Sequence, residues 1–128
     1  MKPDIIHSRS NHTGPAALPF SHTVATGGLI FVSGQASTDD TGAIVSDNFE
    51  GEFRRSMENL RKVLEEAGSD LGHVVKVTSY VRDPADVAAY NQLYREYFKP
   101  PFPARTTLTK CLGRLLFEID CIAVPKTK

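Results

Sequence analysis

The stretch N-F-E-G-E-F-R-R-S-M-E-N-L-R-K-V-L-E-E-A-G-S-D-L-G-H-V-V-K-V-T-S-Y-V, residues 48–81, carries two hydrophobic periods in succession. Phe49, Phe53, Met57, Leu60, Leu64 and Ala67 recur every three or four residues with glutamate and arginine opposite them, the pattern of a helix lying on a core. Asp47 or Asn48 can cap its start, and Gly68 can close it because glycine takes the left-handed C′ conformation without a steric cost. V-V-K-V-T-S-Y-V at 74–81 is too short for a second helix and is rich in β-branched residues, which predicts a central strand.

Upstream, Thr23 to Thr26 and Leu29 to Ser33 flank Gly27-Gly28, a two-residue loop of the kind that hairpin turns require. The first twenty residues, polar and proline-bearing, are read as a short strand or arm followed by loop, with residues 1–16 taken as an N-terminal arm. Asp39-Asp40-Thr41-Gly42 punctuates the chain, with Ala43-Ile44-Val45 a further short strand. Downstream, Asp83-Pro84-Ala85-Asp86 supplies a cap and a proline at the first helical position; Val87, Tyr90, Asn91, Tyr94 and Phe98 follow at helical spacing until Pro100, Pro101 and Pro103. Two last strands, Arg105 to Cys111 and Leu115 to Val124, are expected to form a hairpin turning at Gly113-Arg114. The order predicts an α+β fold: a mixed sheet of five or six strands with two helices on one face, spanning residues 1–128 as one domain. Val75, Val77 and Val81 alternate with Val74 and Tyr80, so both sheet faces carry apolar groups. The face without helices is expected to pack against other subunits.

The chain has 128 residues, 41% hydrophobic and 23% charged, within the range of one ordinary globular domain. Fifteen basic and fifteen acidic residues give a formal charge of zero, so there is no electrostatic footprint for nucleic acid or an anionic bilayer. No apolar run suggests a membrane span, and residues 1–12 lack the apolar core of a secretory signal. A cytoplasmic location is the default expectation.

Metal and cofactor chemistry find no foothold. His7, His12, His22 and His73 never sit at the close spacing of a local metal site and read as solvated or singly hydrogen-bonded. Cys111 and Cys121 would lie several pairs apart along the last hairpin, too far to bridge. S-G-Q is no nucleophile elbow, and no phosphate-binding glycine loop occurs.

Two segments remain, P-F-P-A-R-T-T at 101–107 and F-E-I-D-C-I-A at 117–123. Glu118 and Asp120, two apart in a strand, point to one face while Phe117, Ile119 and Cys121 point to the other. Alternation of this kind commonly marks a solvated face. Arg105 can fork two hydrogen bonds onto a carboxylate, or equally serve as a surface arginine or an ion-pair partner. Hairpin pairing would leave Arg105 and Glu118 roughly 13 Å apart along the ladder, so the two are expected to meet only across a subunit boundary or at opposite ends of a ligand.

Over about residues 17–124 the chain resembles the reactive intermediate deaminase (RidA/YjgF, also called endoribonuclease L-PSP) family. The motifs are V-S-G-Q at 32–35, N-L-R-K-V-L-E-E-A-G at 59–68 and V-V-K-V-T-S-Y-V-R-D at 74–83. Y-N-Q-L-Y-R-E-Y-F at 90–98, P-A-R-T at 103–106 and F-E-I-D-C-I-A at 117–123 complete them. The resemblance implies a chorismate-mutase-like homotrimer with a cleft at each subunit interface. It also implies cofactor-independent hydrolysis of 2-imino acids such as 2-iminobutanoate and 2-iminopropanoate, or their enamines, to 2-keto acids and ammonia. On the same basis Arg105 binds the substrate carboxylate and Glu118 helps position the attacking water, while Phe20, Ser33, Gly34, Asn91 and Thr107 fall on cleft positions. Phe20 stands where members often carry tyrosine, Thr107 where cysteine is common, and the last hairpin is about two residues shorter; these departures bear on substrate choice. Competing readings are a non-catalytic carboxylate-binding trimer and a specialised catabolic enamine deaminase. The endoribonuclease activity attached to some relatives has neutral charge and the lack of an evident histidine pair against it.

Overall fold

The computed structural model describes residues 4–8 and 18–127. Helix α1 (Phe49–Glu66) starts where the Asn48 side chain accepts the Gly51 N–H at 2.8 Å. It ends in a Schellman closure: Ser69 N–H reaches the Leu64 carbonyl at 2.9 Å, Gly68 N–H reaches that of Glu65, and Gly68 has φ +85°. Phe53, Met57, Leu60 and Leu64 are wholly buried, as their spacing predicts. Helix α2 (Val87–Tyr97) follows the 3₁₀ turn Pro84–Asp86, whose N-cap Asp83 accepts the Ala85 N–H.

The strands are β1 (Ile6–Ser8), β2 (Thr23–Thr26), β3 (Leu29–Ala36), β4 (Val74–Val81), β5 (Ala104–Thr109) and β6 (Phe117–Ala123). They form one sheet in the order β1-β2-β3-β6-β4-β5, mixed as predicted, since β4 and β5 run parallel and the other pairs antiparallel. Gly27 and Gly28 turn the β2–β3 hairpin at φ +59° and +80°, the left-handed pair a type I′ turn demands. Both helices lie on one face. Phe53 of α1 and Tyr90 of α2 each meet the Phe117 ring of β6, with centroids 4.7 and 5.7 Å away. Of the expected arm over residues 1–16, Ile6–Ser8 forms the short strand β1 beside β2, and residues 9–16 lie outside the described residues.

The expected final hairpin is corrected. β5 and β6 do not pair; β4 lies between them, parallel to β5 and antiparallel to β6. The loop between them steps over the end of β4, where Arg82 uses both backbone groups: its N–H bonds the Leu116 carbonyl at 3.1 Å and its carbonyl accepts the Lys110 N–H at 3.0 Å. Arg82 also donates to the Gly113 carbonyl, and the buried Glu52 carboxylate of α1 accepts the Leu116 N–H. Helix α2 is thus the crossover that a parallel β4–β5 pair needs.

Smaller corrections follow from bulges. Ala43–Val45 makes one bridge, Thr38 to Ile44, not a strand. β3 runs past Ser33 to Ala36 through an extra residue between Val32 and Gln35. A second irregularity at Val75 puts Val74, Val77 and Val81 together in the core and leaves Val75 exposed. Apolar groups do reach the open face, where Phe31 is exposed opposite Ile122. His73 is bonded by Asp70 at 2.6 Å, whereas His22 is buried rather than solvated. Both cysteines are free, although not for the pairing reason expected from a hairpin.

No atom stands within 4 Å of a Cβ added at Gly68, so Gly68→Ala tests the left-handed backbone alone. Urea denaturation should show a loss of about 1–2 kcal/mol with an unchanged slope.

Candidate functional site

Arg105 is the second residue of β5, after Phe102-Pro103-Ala104, and pairs in register with Val77, a core residue, so its side chain projects to the helix side of the edge strand. There the guanidinium rests in a corner made by α2: its carbon lies 4.9 Å from the Tyr90 ring centroid and 4.7 Å from that of Tyr94. The two rings are set 64° apart. Tyr90, fully buried, is fixed by a 2.6 Å hydrogen bond between its hydroxyl and Ser79 Oγ of β4. No acid forms an ion pair with Arg105 among the described residues. A cation held by ring faces keeps its N–H fork open to a ligand, which a protein carboxylate would occupy.

A cleft of about 210 Å³ opens at this corner, lined by Asn91, Tyr94 and Arg95 of α2 with Phe102, Pro103 and Arg105. Tyr94 is 4% exposed, yet its hydroxyl has no hydrogen-bond partner, and burial pushes its ionisation far above the phenol range. Thr107, two residues after Arg105 and so on the same strand face, likewise has a buried, unpartnered hydroxyl. Arg105, Asn91 and Thr107, three of the positions singled out in the sequence, therefore share one locality.

The other four form a second group. Glu118 pairs in register with Tyr80 and Ala36, and its side chain projects to the face opposite the helices. Its carboxylate lies across the β3 bulge at Gly34, where an added Cβ would stand 2.0 Å from Oε2. A side chain at position 34 would have to displace the carboxylate from that place. Ser33, beside it in the bulge, donates its hydroxyl to the Ser21 carbonyl at 2.5 Å. That bond brings the Phe20–Ser21 segment alongside, with Phe20 half-exposed against the His22 ring. Burial raises the Glu118 pKa, and the neighbouring Asp120 charge raises it further. Asp120 accepts the Tyr80 hydroxyl at 2.8 Å, and that bond pushes the phenol up to about 12.

Arg105 and Glu118 thus belong to different groups. They are two strands apart, three positions out of step and on opposite faces of the sheet. No ion pair joins them among the described residues. Within one chain the two groups stay apart.

The endoribonuclease L-PSP family model matches residues 11–125, nearly the whole chain. The chain belongs to the RidA/YjgF family. Among its relatives, a RutC family protein of Pyrococcus abyssi is 40% identical over 108 residues, covering 82% of this chain and 85% of that one. Reactive Intermediate Deaminase A of Arabidopsis thaliana, named as chloroplastic, is 36% identical over 89% of this chain and 63% of its own. The crystal structure of RidA from an Antarctic Psychrobacter superposes with a TM-score of 0.84 at 25% identity, over 93% of this chain and 98% of that one. No described helix is long and apolar enough to cross a membrane.

Sequence reasoning missed Tyr90, Tyr94 and Arg95. Both tyrosines sit at helical core spacing and carry no signal beyond it, and an arginine in a helix's last turn reads as a partner of the helix dipole. The one available clue was two tyrosines four apart on the helix that precedes P-A-R.

Two expectations follow. Tyr94→Phe should leave the affinity for 2-ketobutanoate, measured by calorimetry, within about twofold, whereas Tyr94→Leu should weaken it roughly 2- to 30-fold, the span of about 0.5–2 kcal/mol for a cation over a ring. A carboxyl whose folded pKa is raised favours the native state when protonated. Its contribution is fully present below the ordinary value near 4.5 and is lost as pH climbs through the raised one. Glu118→Gln should therefore raise the melting temperature at pH 7 and flatten its decline across that window, read by calorimetric scans from pH 4 to 8.

Proposed function

We propose that the protein hydrolyses 2-imino acids, or their enamine tautomers, to 2-keto acids and ammonia. The site is a cleft completed between protomers of a homotrimer. The observation that carries this reading is the unpaired Arg105 guanidinium in its aromatic corner, opening on the Asn91–Phe102 cleft. A relative named Reactive Intermediate Deaminase A supports the reaction class. The division of the family positions between two faces of the sheet supports assembly, because one chain cannot close both halves around a small molecule. The apolar groups on the open face, Phe31 among them, favour the same packing.

In the assembled cleft, Arg105 forks two hydrogen bonds onto the substrate carboxylate and so fixes the neighbouring imine carbon. Asn91 and Thr107 border the same end. Glu118 comes from the adjoining protomer, with Gly34 and Ser33 shaping the backbone around it and Phe20 closing the side. A protonated imine is already electrophilic, so the protein needs to orient water rather than create a strong nucleophile. Water adds to the imine carbon and passes a proton to the Glu118 carboxylate. The resulting carbinolamine takes that proton on nitrogen; its hydroxyl then gives its own proton back to the Glu118 carboxylate as the C=O bond forms and the C–N bond breaks, and the departing ammonia carries that proton away as ammonium. A glutamate whose pKa is raised by burial and by the Asp120 charge is a stronger base than an ordinary carboxylate, which suits it to accept a proton and give it back. No step calls for a metal or a cofactor. A cytoplasmic, reducing location fits two free thiols.

The test couples an amino-acid dehydratase that releases 2-iminobutanoate to the detection of ammonia. The wild-type chain should accelerate release over buffer, and Arg105→Ala should remove the acceleration while keeping the far-UV spectrum and the oligomer. Carboxylate binding without acceleration would leave a binding protein. Cleavage of RNA that Arg105→Ala abolishes would favour the endoribonuclease reading.

A further inference from the structure

The arginines of α1 are paired: Arg54 with Glu50 and Glu96, Arg55 with Asp47, Arg61 with Glu58 and Glu65. The two that line the cleft are not. Arg105 lies over tyrosine rings. Arg95 donates to the Asn91 carbonyl one turn back at 3.2 Å, and no acid forms an ion pair with it among the described residues. Its sequence neighbour Glu96 reaches Arg54 instead, so the nearest acid along the helix is already engaged. Among the described residues no acidic one lines the cleft. Two unneutralised guanidinium groups therefore border one space of about 210 Å³, with an amide and the rings of Tyr94 and Phe102 beside them.

A single carboxylate on Arg105 leaves the second positive charge uncompensated. Both side chains are solvent-exposed, but like charges bordering one space still repel, and an anion with two negative ends relieves both. The space equals about seven waters' share of liquid volume, enough for a short dicarboxylate. The aromatic wall suits the carbon chain between the two ends.

We propose that the cleft prefers dicarboxylic substrates, the 2-imino acids formed from four- or five-carbon acidic amino acids. In this arrangement Arg105 holds the carboxylate next to the imine and Arg95 the distal one. This inference rests on the deaminase reading for the word substrate, but its charge argument concerns binding alone. Arg95 acts on the ligand's far end and takes no part in the bond changes, which remain those given above.

Calorimetry at fixed ionic strength with the full chain, comparing succinate with butanoate, tests it. Succinate should bind at least tenfold more tightly. Arg95→Gln should reduce that ratio to within about twofold, and Arg95→Lys should retain part of it. Equal binding of the two acids by the wild type, or an unchanged ratio in Arg95→Gln, overturns the proposal. A second arm supplies imines from aspartate and from alanine with amino-acid oxidases, and expects faster hydrolysis of the first. Hydrolysis of the alanine imine without succinate preference sinks the dicarboxylate inference and leaves the deaminase standing. Succinate preference with neither imine hydrolysed does the reverse.

Discussion

A β-strand offers its side chains to two faces and no others, and in this sheet that alternation divides the chemistry. The odd-numbered residues of β6, Phe117, Ile119, Cys121 and Ala123, are buried under the helices, so Glu118 and Asp120 must stand on the open face. In β5 the register places Arg105 and Thr107 with Val77 and Ser79 on the helix side. Shifting either strand by one residue would move its polar groups to the other face and its apolar ones out of the core, so the arrangement cannot drift. The separation of guanidinium from carboxylate is thus enforced by the same burial that holds the fold. An ion pair inside one protomer, which would neutralise both groups and disable them, is geometrically barred.

Keeping the two charges apart leaves each to be stabilised by other means, and the means differ. Arg105 is met by the faces of Tyr90 and Tyr94, an attraction that uses none of its hydrogen-bond donors. Tyr90 can act as a fixed wall because Ser79, from the adjacent strand, holds its hydroxyl. Among the described residues Glu118 has no comparable partner: it lies over the bare Gly34 backbone with Asp120 nearby, and both burial and like charge favour its neutral form. Asp120 carries the hydrogen bond from Tyr80 that Glu118 lacks. Of two carboxylates on one strand face, the bonded one supports its neighbour's altered proton affinity, and the unbonded one is left able to exchange a proton.

The helices, their caps and the inward face of β6 were legible in the sequence because each rests on a local signal: the spacing of Phe53, Met57 and Leu60, the Asn48 and Gly68 termini, the alternation through 117–123; the facing of β3 and β4 was not, because a bulge in each breaks the alternation. The partner of β5 was not. Gly113-Arg114 between two apolar runs imitates a hairpin turn, and nearness in sequence favoured it, but strand, helix, strand over 74–109 is equally the signature of a parallel crossover. What decided the matter was non-local, namely Arg82 bonding to Lys110 on one side and Leu116 on the other. The expectation that Arg105 and Glu118 do not meet within one chain agrees with the structure for a different reason: they are divided by a strand and a face rather than by distance along one ladder. The site positions came from motif resemblance; their grouping into two halves could be seen only once the register was known.

The β3 bulge shows why fold and site cannot be altered separately. The extra residue between Val32 and Gln35 lets Val32 and Gln35 both remain buried while Ser33 and Gly34 are pushed out of step. Without it, strict alternation would set Gln35 on the same face as Ser33 and the core would lose one of the two. With it, the chain gains a backbone segment free of side-chain bulk against which a carboxylate can lie, and a hydroxyl that ties the Phe20–Ser21 segment to the sheet. A glycine elsewhere in a strand weakens it by leaving nothing to pack. Here the missing side chain is the space that Glu118 fills, so the local loss of strand stability is the physical condition for holding an under-solvated acid on the open face.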